Sequence, residues 1–202
     1  MARISTFTFV TLDGVMQAPG RPDEDTRGGF GDGGWGAVHA DDVMAGVAAE
    51  GMGREGAMLF GRRTYEDFHG FWPNAPQPNP FTDVLNRRQK YVASRTLAEP
   101  LPWENSTLLK GDAGESVAEL KRTSDLDLVI LGSGELIRTM MRHDLIDEYV
   151  VLIHPLVLGS GRRLFEDGGP PATLELVDSK PTTTGVIIAT YRPAERSAER
   201  NP

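Results

Sequence analysis

The sequence predicts an α/β domain built on a mostly parallel central sheet whose last strands run antiparallel at its edge. Up to about residue 143 strand-like runs alternate with helical ones, the order of β–α–β units, in which a crossover helix joins two parallel strands. Beyond that point strand-like runs follow one another with no helix between them, and such strands pair antiparallel. A third observation says where chemistry would sit. Three of the earlier runs stop at small or basic residues, at the carboxyl edge where open α/β sheets take their ligands.

The elements follow in order. Arg3 to Leu12 reads as a strand, with Ile4, Thr6, Thr8 and Val10 alternating with Phe7 and Phe9 before the Asp13-Gly14 turn. Residues 17 to 36 change to Gly, Pro, Asp and Arg with little hydrophobic period, and six glycines between Gly28 and Gly36 suit a mobile lid. Asp41 and Asp42 precede Val43, Met44, Val47 and Ala48 at helical spacing, with the acidic residues at the favourable end of the dipole. Gly51 and Gly53 end this helix.

Next come a strand at 57 to 60, a helix from about Arg63 to Phe71, a proline-rich connection from Pro73 to Pro80, and a short helix on Phe81, Val84 and Leu85. A strand at 90 to 93 and another near Ser106 to Leu109 lead to a helix at 115 to 122 and a strand at 126 to 131. Leu136, Ile137, Met140 and Met141 form a helical stripe, closed by Arg142 and His143 at the negative end of the dipole. Glu148 to His154 and Thr183 to Tyr191 are the late strands, with a turn at Gly159-Ser160-Gly161 between them. One domain is expected over residues 1 to 193, followed by a loose polar tail from 194 to 202.

At 202 residues the chain is long enough to bury a core of its own. Its net charge of -8 argues against nucleic acid and anionic membrane as partners, so any anion must be met by local charge. The absence of cysteine removes disulfides, thiolate metal sites and cysteine nucleophiles. The four histidines are scattered, so no metal is expected. Neither an export signal nor a membrane-length apolar run is legible, and the cytoplasm is the expected compartment. Val150, Leu152, Val157, Leu158 and Val186 to Ile188 supply more apolar surface than a single edge needs, which points to a homodimer.

The three strand exits are Gly61-Arg62-Arg63-Thr64-Tyr65-Glu66, Ser94-Arg95-Thr96 and Gly132-Ser133-Gly134. The first places a helix N-terminus after an apolar strand, and the second offers two hydroxyls and a guanidinium for the oxygens of a phosphomonoester. In the third, Gly-x-Gly between strand and helix lets a pyrophosphate approach the backbone. Each alone is also an ordinary turn or helix start. Together they suggest one phosphate-rich ligand across neighbouring strands.

At these residues the chain resembles the dihydrofolate-reductase-like superfamily, and within it the C-terminal reductase domain of the bifunctional riboflavin-biosynthesis deaminase/reductase. The likeness runs from about residue 3 to 192: Phe7 to Gly14, Gly33-Gly34-Trp35, the G-R-x-T-Y-E run from Leu59 to Glu66, Lys90 to Leu97, the G-S-G-x-L run from Leu131 to Leu136, and Asp147 to Phe165. The deaminase signature is absent, and there is no cysteine to supply it. The resemblance implies NADPH as cofactor on a central sheet of about eight strands, often in a homodimer.

Carried over residue by residue, the resemblance puts Gly61, Arg62 and Thr64 near the cofactor, with Arg62 beside the 2′-phosphate. Ser94, Arg95 and Thr96 would share that phosphate. Gly132, Ser133, Gly134, Glu135 and Leu136 would flank the pyrophosphate, and Leu12 and Asp13 would abut the nicotinamide. Asp41, following Trp35, stands near the place of the pterin-binding carboxylate of dihydrofolate reductases and is the candidate catalytic acid, although its surroundings differ and favour a helix cap there.

Trp35, Phe71 and Trp72 are candidate substrate walls. The expected activity is reduction of a small planar or heteroaromatic compound, pterin- or aminopyrimidine-like. The alternative is a nicotinamide-nucleotide-binding or sensing module without turnover.

Overall fold

The structure is a computed structural model and describes residues 1–76 and 79–194. Eight strands form one sheet: β1 (Ile4–Thr11), β2 (Ala57–Gly61), β3 (Lys90–Ala93), β4 (Ser106–Leu109), β5 (Leu128–Leu131), β6 (Glu148–His154), β7 (Leu174–Pro181) and β8 (Ile187–Pro193). Their spatial order is β4-β3-β2-β5-β1-β6-β8-β7. The first six run parallel, with Ile4 opposite Leu128 on one side of β1 and Ser5 opposite Glu148 on the other. β8 lies antiparallel to both β6 and β7.

Five helices connect them: α1 (Asp42–Gly53), α2 (Arg62–Phe71), α3 (Pro80–Arg87), α4 (Ala113–Thr123) and α5 (Gly134–Arg142). Successive residues of a strand face opposite sides of its sheet, so β1 shows which helices cover which side. Ile4 and Val10 pack with Val117 and Leu120 of α4 and with Leu136, Ile137 and Met140 of α5. Phe7 and Phe9 meet Met44 and Val47 of α1 together with Leu152, Val186 and Ile188. The sheet is therefore sandwiched between α1 on one side and α4 and α5 on the other. A second core under α2 and α3 gathers Met58, Phe60, Tyr65, Leu85 and Trp103.

Several expectations change here. The sequence suggested a single last strand from Thr183 to Tyr191, but the chain makes a hairpin, β7 and β8, around a turn in which Thr182 N–H donates to Val186 O, Thr182 Oγ1 accepts from Val186 N–H, and Gly185 has φ 86°. β7 escaped notice because its Asp, Ser, Lys and Pro are poor strand formers and nearly all its side chains are exposed, leaving no apolar alternation to read. Leu152, Val186 and Ile188, expected to supply surplus apolar surface, are buried under α1. Leu176, Val177 and Ile187 are the large apolar residues exposed on this hairpin.

The segment before α1 is packed rather than open. Val15, Ala18, Phe30 and Trp35 form a small core of their own, and Gly34 and Gly36 donate to the carbonyls of Ala18 and Pro19. The tail from residue 195 lies outside the described residues, as do positions 77 and 78 of the proline-rich connection.

Candidate functional site

β3, β2 and β5 are neighbours and parallel, so the three exits come together at one edge of the sheet. They open on a cleft of about 1270 Å³ lined by residues from all three and by the segment before α1.

Two of the exits are bonded to each other. Ser133 Oγ accepts from Gly61 N–H at 3.1 Å, and Ser133 N–H donates to Thr64 Oγ1 at 3.2 Å. Ser133 adopts φ 53°, ψ 47°, a left-handed conformation that costs a non-glycine residue energy and is held by these contacts. Beside it at position 134 the Met16 side chain lies close over the glycine, and a Cβ there would stand 2.5 Å from Met16 Sδ and push that side chain aside.

Helix capping separates the site from the rest of the molecule. α1, α3 and α4 are capped by the side chains of Asp41, Asn79 and Asp112. α2 and α5, which start at the cleft, have no side-chain cap. Their first-turn N–H groups leave a positive field where an anion can bind.

Around them Arg62 pairs with Glu66 at 2.9 Å and Arg63 with Glu135 at 3.1 Å. Arg95 is exposed and makes no ion pair among the described residues. Ser94 Oγ accepts from the N–H groups of Thr96 at 3.1 Å and Leu97 at 3.0 Å, which shapes the β3 exit. Gly61, Arg62, Thr64, Ser94, Arg95, Thr96 and Gly132 through Leu136 all line the cleft.

Other candidates lie elsewhere. Leu12 is exposed and does not line the cleft. Asp13 braces a turn: it accepts from Thr11 Oγ1 at 2.5 Å and from the N–H groups of Leu158 and Gly159. The Thr11 hydroxyl, with those amides, lowers its pKa to about 2. The residues of this stretch that do reach the cleft are Met16, Gln17 and Ala18, a few positions further on.

Asp41 is drawn away from the cleft as well. Oδ1 accepts from Met44 N–H at 2.9 Å, and Oδ2 accepts from both the N–H and the hydroxyl of Thr183 at 2.7 Å. The Met44 amide and the Thr183 hydroxyl hold its carboxyl below the usual value. It caps α1 and ties that helix to the β7–β8 turn.

Trp35 is buried and outside the cleft lining; its indole N–H donates to Gln17 O at 2.7 Å and its ring stands edge-on to His154 at 5.0 Å. Phe71 lies outside the lining too, beneath the guanidinium of Arg21 at 4.2 Å. Trp72 does line the cleft, joined by Phe7, Phe9, Phe68 and Phe81.

Several carboxyl groups in the lining did not stand out in the sequence, Glu24 and Asp67 among them. The signal for Asp67 was there: positions three and four beyond Thr64 share its helix face, and they are Asp67 and Phe68. Glu24 had no such signal, since it comes from an aperiodic segment. Among the described residues no group of three or more His, Asp or Glu is placed to hold a metal ion, and no helix is long and apolar enough to cross a membrane.

Comparison with known proteins agrees with this architecture. The Bacillus subtilis (strain 168) protein YyaP, itself uncharacterized, is 30% identical over 138 residues, covering 66% of this chain and 72% of its own. Two solved structures are similar in fold. A Thermotoga maritima diaminohydroxyphosphoribosylaminopyrimidine deaminase/5-amino-6-(5-phosphoribosylamino)uracil reductase superposes with TM-score 0.62 at 16% identity over 96% of this chain and 57% of its own. A dihydrofolate reductase from Enterococcus faecalis, complexed with NADP(H), superposes with TM-score 0.61 at 13% identity over 96% and 97%. The RibD C-terminal domain family matches residues 2–188, and with its eight-stranded sheet and its convergent strand exits this chain belongs to that family.

Proposed function

We propose that this protein is an NADPH-dependent oxidoreductase that reduces a small planar or heteroaromatic compound in the cytoplasm. One observation carries the reading: the uncapped starts of α2 and α5 open into the same cleft as an aromatic wall of Phe68, Trp72 and Phe81. A polar, anion-attracting half beside an apolar half suits a dinucleotide lying next to a flat substrate.

The residues fit that cofactor. Gly132 to Leu136 and the α2 N-terminus would receive the pyrophosphate, and Arg62 and Arg95, with Ser94 and Thr96, would receive a 2′-phosphate. When bound, the nicotinamide supplies the hydride. The chain's own residues orient donor and acceptor and keep water out, work that needs no nucleophile. The reductase activity of the Thermotoga maritima neighbour and the NADP(H) bound by the dihydrofolate reductase support the proposal.

The test is a titration with NADPH followed by a panel of quinones, pterins and aminopyrimidines, watching the absorbance of the reduced nicotinamide. Oxidation by at least one compound is expected. Tight binding with no oxidation by any would favour the sensing module, a reading supported by the engagement of both Asp41 oxygens away from the cleft. Self-association through the exposed Leu176, Val177 and Ile187 belongs to the same proposal and is checked by sedimentation at micromolar concentration.

A further inference from the structure

The cleft is electrically divided. Arg62, Arg95 and Arg142 lie in its lining on the side of the strand exits and α5. Where the segment from Pro19 to Asp25 crosses α2, two carboxylates share one guanidinium and a third, Glu24, is held by backbone N–H groups. Arg21 Nη2 is 2.5 Å from Asp67 Oδ1, and its Nε is 3.5 Å from Asp23 Oδ1. Glu24 Oε2 accepts from the N–H groups of Gly20 at 2.7 Å and Arg21 at 3.2 Å. No hydrogen bond among the described residues engages Glu24 Oε1 or Asp67 Oδ2.

This acidic corner adjoins apolar wall. Phe68 follows Asp67 on α2, and Trp72 stands one helical turn beyond Phe68. A separate feature also asks for a ligand. Thr8, which is 1% exposed, lines the cleft, and its hydroxyl has no hydrogen-bond partner among the described residues. Phe7 pairs with Leu131, so Thr8 sits level with Gly132, where the Gly-Ser-Gly turn leaves the sheet. A buried polar group of this kind ordinarily has a partner, and the cleft is the place one can come from.

We propose that the acidic end of the cleft takes a flat aromatic amine carrying no phosphate, with Glu24 and Asp67 accepting its N–H groups beside Phe68 and Trp72. The inference deepens the reductase reading and rests on it for the word substrate. A phosphoribosyl group, such as the one in the uracil handled by the Thermotoga maritima enzyme, would bring a dianion to a corner that already holds surplus negative charge. An amine or amidine-like edge removes that repulsion instead. Burial raises both carboxyls above their ordinary pKa, Glu24 being lifted further by the Asp67 charge and Asp67 by those of Asp23 and Asp25. A cation bound between them acts in the opposite sense and favours the ionised form of both.

A matched pair of rings tests this directly: 4-aminoquinoline, a planar cation at neutral pH, and quinoline-4-carboxylate, an anion of the same shape. Dissociation constants for both are measured by calorimetry with and without saturating NADPH, and the NADPH constant is measured alongside. The amine should bind at least about tenfold more tightly than the acid, the range of one charge-assisted contact. Glu24→Gln and Asp67→Asn should each shrink that ratio several-fold while retaining the wild-type thermal transition.

Equal binding of the two rings, tighter binding of the acid, or a ratio unchanged in both folded variants would overturn the inference. The two proposals fail separately. A ring preference in a protein that does not bind NADPH would sink the reductase reading alone, and NADPH binding without the preference would sink this one alone.

Discussion

Ser133 and Thr64, 69 residues apart in sequence, are joined by a hydrogen bond from the Ser133 backbone N–H to the Thr64 hydroxyl. With the return contact from Gly61 N–H to Ser133 Oγ, this bond locks the β2 and β5 exits into one surface. Neither donor is then left for a ligand. The anion-binding capacity of the site falls to the uncapped first turns of α2 and α5, which the lock holds in place.

Ser133→Ala should therefore weaken fold and cofactor site together. It strips the acceptor from a partly buried Gly61 N–H, a loss of about 1–2 kcal/mol. Urea unfolding should show that loss, and NADPH affinity should fall with it. Unchanged stability would mean that water replaces the hydroxyl and that the lock is incidental.

Cofactor choice tests the two arginines. If both contact a 2′-phosphate, Arg95→Ala and Arg62→Ala should each weaken NADPH roughly tenfold or more and leave NADH nearly unchanged. Glu66→Gln, which releases Arg62 from its ion pair, should tighten NADPH binding. Fluorescence titration at fixed salt gives all of these constants. Equal weakening of both nucleotides in the arginine variants would return Arg62 and Arg95 to solvated helix-start and loop roles.

Asp41→Asn separates capping from catalysis. A sole general acid would cost about 100-fold or more in turnover when removed. With both oxygens committed to Met44 and Thr183, the expected loss is less than about fivefold, together with a lower thermal transition. The folded-state pKa is depressed, so the stability Asp41 contributes is complete above its unfolded pKa and is lost as pH falls through the folded one. The transitions of wild type and variant should converge in acid.

Lys90 gives stability a slope of the same sign in a second, alkaline window. It is wholly buried, donates to the carbonyls of Asn86, Arg88 and Glu104, and lies 4.6 Å over the Trp103 ring. Desolvation lowers its pKa from 10.5 to about 8. Between those values the unfolded chain binds a proton that the folded chain does not. Stability should therefore rise with pH across this window, by about 3 kcal/mol in all. In Lys90→Met that rise should be missing from denaturant curves taken across the window; its persistence there would assign it to another group.

What the sequence determined by itself was whatever short-range burial writes into it. The apolar runs of β2 and β5 and the helical stripe of α5 are legible because a buried strand or helix face repeats every few residues. The three exits are legible for the same reason, as small and basic residues placed where such runs stop. Tertiary structure decided the rest. The strand order that sets β3, β2 and β5 side by side depends on pairing between distant segments. β7 carries no period because it is an exposed edge, held by the ladder with β8 rather than by burial. Asp41 finds its second partner 142 residues away at Thr183, and Glu24 meets Asp67 only because an aperiodic segment folds back over α2 through Arg21. Such contacts are chosen by the energy of the whole chain closing on itself, which no local pattern of residues records.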